Sequence, residues 1–159
     1  MLKRVKTKTS KAKGGRFAIV ASEYNARYVD AMLRAARSEL KRSGAVSVAV
    51  FRVPGAFEIP VVAARLARMN SRWSAIICLG VILRGQTTHA QHVGEAVTEA
   101  LARLQVDYLV PVIHEVLLLE NEEQARARCV DRKFNRGAEA ARTAIKMAGV
   151  MKRLEAATE

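Results

Sequence analysis

Gly85-Gln86-Thr87-Thr88-His89 follows an apolar run and opens a stretch of helical periodicity. Thr88, with Gln91 three residues on, has the spacing of a helix cap and its partner, which predicts His89 in a first helical turn. A helix N-terminus presents unpaired N–H groups and the positive end of a dipole, so it suits a phosphate. Gly85 lets the backbone approach a ligand, and the amides of Gln86 and Thr87 could point into that site. A histidine held there could serve as both base and acid. The same residues read equally well as a solvent-exposed helix start. No GxxxxGK[ST] occurs, which excludes that nucleotide-triphosphate loop. His89, His92 and Glu95, with His114 further on, could suggest a metal site. However, His92 has no third ligand at helical spacing beyond Glu95, and a solvated face explains the pattern.

Three further positions could serve a ligand. In VPGAFEIP (53–60), Pro54-Gly55 turns the chain and leaves Glu58 at a helix start, where a carboxylate can accept hydrogen bonds from polyol hydroxyls or simply favour the helix dipole. Tyr24 and Asn25 follow the first apolar run, and an aromatic ring there can stack on a flat heterocycle or lie half-buried in a loop. Arg128 can grip a phosphate bidentately, although RARCVDRKFNR is crowded with basic residues and also reads as a solvated face.

These residues need a scaffold, and the hydrophobic pattern supplies one. FAIVA (17–21), VSVAVFRV (46–53), SAIICLGVI (74–82) and part of YLVPVIHEVLLL (108–119) read as strands. Between them run helical periods: Val29, Met32, Leu33, Ala36 and Leu40, stopping at Ser43-Gly44; then 58–69, with Pro60 in its first turn; then Val93, Val97, Ala100, Leu101 and Leu104. Asn121 with Gln124 resembles a capping box for a helix carrying Arg128, and a last helix covers roughly 136–153. The alternation predicts an α/β protein: a small doubly wound sheet of four parallel strands with helices on both faces. Ligands in such folds bind beyond the carboxyl ends of the strands. That rule selects the loops Ser22 to Asn25, Pro54 to Glu58, and Val81 to His89.

The chain has 159 residues, which is one domain's length, and half of them are hydrophobic. No apolar run is long enough to span a membrane, and the first residues lack a signal peptide's apolar stretch, so a cytoplasmic protein is expected. Cys78 and Cys129 have no metal-ligand spacing and read as free thiols. The net charge is +12. Residues 1–16 hold seven Lys and Arg and no acid, so the rest carries +5. Residues 1–15 therefore read as a basic, flexible tail and 16–159 as a single domain. Such a tail can attract polyanions, but no aromatic residue interleaves its lysines, which argues against single-strand nucleic-acid binding.

Taken together, VPGAFEIP (53–60), LGVILRGQTTH (79–89), VPVIHEVLLLENEEQARAR (110–128) and NRGAEAA (135–141) resemble the lumazine synthase family in order and spacing. The resemblance implies a flavodoxin-like fold. It also implies condensation of 5-amino-6-(D-ribitylamino)uracil with 3,4-dihydroxy-2-butanone 4-phosphate to 6,7-dimethyl-8-ribityllumazine, the penultimate step of riboflavin biosynthesis, without cofactor or metal. It assigns proton transfer to His89, stacking on the pyrimidine to Tyr24, and the ribityl chain to Ala56, Phe57 and Glu58. The backbone of Val81, Ile82 and Leu83 would read the pyrimidine edge, and Gln86 and Thr87 would hold phosphate. A neighbouring subunit would complete each site with Arg128 on the phosphate and His114 at a position usually aromatic. A homopentamer, or a multiple of pentamers, is therefore implied. Leu118 and Leu119 replace small polar residues, and CVDRKFNRG (129–137) replaces a glycine-containing turn frequent in shell-forming members. The alternatives are a catalytically weak paralogue that binds flavin or lumazine or builds a shell, and a basic nucleic-acid-binding protein.

Overall fold

In a computed structural model, residues 11, 14–69 and 73–158 are described. The expected basic tail, residues 1–15, lies almost wholly outside them. Four strands, β1 (Arg16–Ser22), β2 (Ser47–Val53), β3 (Ala75–Leu83) and β4 (Val112–Leu119), form one parallel sheet in the order β2-β1-β3-β4. The helices are α1 (Ala26–Arg42), α2 (Ile59–Ala67), α3 (His89–Tyr108), α4 (Glu122–Ala125) and α5 (Arg136–Ala157). The doubly wound α/β sheet expected from the pattern is the one observed.

Side chains of successive strand residues alternate between the faces, and this splits the core in two. Phe17, Ile19 and Ala21 pack with α1 and α5 through Val29, Met32, Ala36, Ala140, Ala141 and Ala144. Ala18, Val20, Ile76 and Cys78 pack with α2 and α3 through Ile59, Ala63, Val97 and Leu101. A central strand buried on both faces must be apolar throughout, which is why FAIVA and AIICLG show no polar alternation. The alanines of α5 let it approach α1 closely. Gly137 lies at one such close approach, since a Cβ there would sit 2.0 Å from the Met32 carbonyl oxygen. Replacing it would force the two helices apart.

Local details differ from the sequence expectations. The helix expected over 58–69 divides into a 3-10 turn, Ala56–Glu58, and α2. The helix expected to carry Arg128 is only the single turn α4, which then widens into a π-helical turn, Arg126–Val130. Asn121 caps α4 by accepting from the Gln124 amide at 2.9 Å, while the Gln124 side chain accepts from Glu120 N rather than from Asn121. The turn that follows needs no left-handed residue. Asp131 Oδ1 accepts from Lys133 N, and Asn135 Oδ1 caps α5 through the Gly137 and Ala138 amides. The last helix runs beyond its expected end, to Ala157.

Candidate active site

All four strands are parallel, so their carboxyl ends share one edge of the sheet. At that edge β1 lies between β2 and β3, and the chain leaves β1 toward one face and β3 toward the other. A crevice opens at such a point. The loops after β1, β2 and β3 carry Tyr24, the Pro54–Glu58 turn, and Gly85–His89.

The first two loops are bonded together. Glu23 and Tyr24 donate their amides to the Pro54 carbonyl, at 3.1 and 3.0 Å. The Gly55 amide donates to Glu58 Oε2 at 2.9 Å, across the 3-10 turn. A Cβ on Gly55 would lie 2.9 Å from that same oxygen and 2.9 Å from the edge of the Tyr24 ring. Glycine is therefore required here for a close approach, and Tyr24, Gly55 and Glu58 form one packed unit. Glu58 Oε2 is engaged by the turn, so Oε1 is the oxygen left for a ligand. Beside it, the Tyr24 and Phe57 rings are 68% and 63% exposed, two large apolar surfaces at the ligand edge. Ala56 is buried in the core on the α2 and α3 side of the sheet.

Asn25 ties β1's loop to β3. It adopts a left-handed backbone (φ 57°) and donates its side-chain amide to the Val81 carbonyl at 2.7 Å. The Val81 carbonyl thus has a partner within the chain, whereas Ile82 and Leu83 are half-buried at the strand end. The sequence placed Asn25 in the ligand-edge loop but gave it no role; its partner lies 56 residues away.

Gln86 and Thr87 stand exposed in the loop that leads into α3, and His89, also exposed, is the first residue of that helix, as the spacing predicts. The expected Thr88–Gln91 cap is absent. Thr88 has helical backbone angles (φ −76°, ψ 0°), which do not place its hydroxyl over the first turn. Gln91 instead bonds Glu95 at 2.8 Å, and the His89 amide has only a long, 3.4 Å contact to Thr87 Oγ1. Apart from that contact, the helix start keeps its amides free of a side-chain cap, as an anion site requires. Among the described residues, no three His, Cys, Asp or Glu side chains are grouped to hold a metal.

His114 is not gathered with these loops. His114 pairs with Cys78 in mid-sheet, five residues short of the Leu83–Leu119 pair, or about 16 Å along the strand. It faces α3. Arg128 lies half-buried on the π-helical turn. Near it stands a charged cluster not anticipated from the sequence: Glu115 Oε2 accepts from Arg136 Nε at 3.2 Å, and Arg136 Nη1 reaches Glu139 at 2.6 Å. Burial pushes the Glu115 carboxyl up to about 7, against the pull of the Arg136 charge. A lone glutamate inside the apolar run VIHEVLLL was the available signal. Burial also pushes the free thiols of Cys78 and Cys129 up to about 12.

The family model for 6,7-dimethyl-8-ribityllumazine synthase matches residues 14–152. The chain belongs to this family. A 6,7-dimethyl-8-ribityllumazine synthase of Stenotrophomonas maltophilia (strain R551-3) is 43% identical over 141 residues, covering 87% of this chain and 90% of that protein. The synthases of Mycobacterium avium (strain 104) and Syntrophus aciditrophicus (strain SB) are 43% and 39% identical, over 91% and 90% of this chain and 90% and 94% of theirs. The chain is thus a lumazine-forming enzyme of riboflavin biosynthesis, with the flavodoxin-like fold that the resemblance implied. These relatives give the weak-paralogue alternative no support. No helix among the described residues is long and apolar enough to cross a membrane.

Proposed function

We propose that this chain condenses 5-amino-6-(D-ribitylamino)uracil with 3,4-dihydroxy-2-butanone 4-phosphate at a site shared by two copies of itself. The observation that carries this reading is the Tyr24–Gly55–Glu58 unit beside the uncapped start of α3. One copy supplies a stacking ring in Tyr24, a ribityl cradle in Ala56, Phe57 and Glu58, and the strand end Val81–Leu83. Gln86 and Thr87 hold the phosphate, and His89 stands next to it. His114 lies away from these loops in its own chain, which favours its serving the site of the adjacent copy, and in this reading Arg128 reaches that site with it. The assembly is then a homopentamer or a multiple of it, working in the cytoplasm, where free thiols persist. Nucleic acid and membrane are not partners in this reading.

The chemistry needs little beyond placement. The uracil's 5-amino group attacks the ketone and water leaves to give an imine. His89 removes a carbon-bound proton, and the electron pair expels phosphate. The resulting enol takes up a proton on its terminal carbon and becomes a methyl ketone, which the ribitylamino nitrogen attacks to close the ring with loss of a second water. Both reactants are already reactive, so holding them together supplies most of the acceleration, and proton transfer by His89 adds a smaller factor. The test is to mix purified protein with both substrates and follow lumazine fluorescence. A rate well above the uncatalysed background is expected, and a rate equal to background would refute the reading.

A further inference from the structure

We propose that Thr98 is a positioning residue, holding His114 as a neutral ring whose flat face, rather than a nitrogen, is offered to the substrate. This inference rests on the reading that His114 contacts the pyrimidine. No sequence feature singles out Thr98, and its role follows from geometry alone.

The Val116 amide donates to His114 Nδ1 at 3.2 Å. A backbone N–H can only donate, so Nδ1 carries no proton. In the neutral ring the proton is then on Nε2, which lies 2.8 Å from Thr98 Oγ1 and donates to it. Both nitrogens are thereby engaged within the chain, one by β4 itself and the other by α3. Ring rotation would break both bonds, so orientation and tautomer are fixed together.

The surroundings agree. His114 is half-buried, and burial lowers its tendency to take a second proton. Its partner position on β3 is Cys78, whose buried thiol stays uncharged. Thr98 lines a groove between α3 and β4 with Glu95, Glu99 and Leu118, and Arg84 at its end. Glu95 and Glu99 would favour an imidazolium; burial of the ring opposes them, and the Val116 amide leaves no place for a proton on Nδ1. The ring therefore acts as the flat surface of an aromatic residue would, despite its capacity to titrate.

The test uses the intact protein with histidine labelled by 15N at both ring nitrogens. Three histidines are present, so His114 is assigned by subtraction in His114→Phe, and solid-state spectra suit an assembly of any size. In the wild type, His114 should show a bare Nδ1 and a protonated Nε2. Thr98→Val, of equal size, frees the ring to rotate away from the Val116 amide, so it should give mixed tautomers and raise KM for the ribitylaminouracil about three- to tenfold with kcat little changed. Thr98→Ser should restore both. In a His114→Phe background, Thr98→Val should have no effect on KM. Unchanged His114 signals in Thr98→Val would overturn the lock. A changed tautomer with unchanged KM would instead show that His114 does not meet the pyrimidine, and would remove both the proposal and that part of the site.

Discussion

Gly55 donates its backbone N–H to Glu58 Oε2 at 2.9 Å, while the edge of the Tyr24 ring occupies the space a Gly55 side chain would need. One missing Cβ therefore sets the position of both the Tyr24 ring and the Glu58 carboxylate. Gly55→Ala should displace them without disturbing the sheet. Expected is a fall in kcat/KM of about ten- to a hundredfold, seen mainly with the ribitylaminouracil, with little change in thermal midpoint. Steady-state kinetics and a melting curve on the same preparation check this, and unchanged kinetics would dissociate the turn from the site.

Glu115 makes stability depend on pH. Its folded carboxyl titrates near 7, above its ordinary value of 4.5, so the folded state holds the proton more tightly than the unfolded state does. The associated stability is fully present below about 4.5 and is lost as pH rises through about 7. The displacement corresponds to about 3 kcal/mol. Glu115→Gln keeps an acceptor for Arg136 and should stabilise the protein more at pH 8 than at pH 5, by about 2 kcal/mol. Denaturant unfolding at both pH values, at fixed protomer concentration, measures the difference. An equal effect at the two would show that Glu115 is ionised throughout.

The sequence conveyed what depends on local pattern, and missed what depends on partners far along the chain. The apolar runs of β1 and β3 and the stripes of α1 and α3 specified the sheet, because a strand covered on both faces has no other composition. Parallel strands then placed Tyr24, Glu58 and His89 at one edge. Asn25's bond to Val81, Thr98's to His114 and Arg136's to Glu115 span 56, 16 and 21 residues, so no spacing rule reveals them. The Thr88 cap failed for a different reason. Its spacing was correct, but a cap needs extended backbone at that residue, and Thr88 is already helical.

His89→Ala tests how the acceleration is divided. If placement dominates, the variant should remain folded, bind both substrates, and turn over at a rate lowered by about a hundredfold or less yet above background. A folded, substrate-binding variant with no activity above background would mean that proton transfer by His89 is indispensable.

In the proposed function each site draws on two copies, with His89 on one and Arg128 on the other. Co-expressing His89→Ala with Arg128→Ala chains tests it most directly. In randomly mixed assemblies, about a quarter of the interfaces would carry both native residues. Lumazine formation at low concentrations of the phosphate substrate should then exceed the average of the two separately prepared variants several-fold. Activity equal to that average would place His89 and Arg128 in the same subunit's site, or leave Arg128 out of it, and would contradict the account.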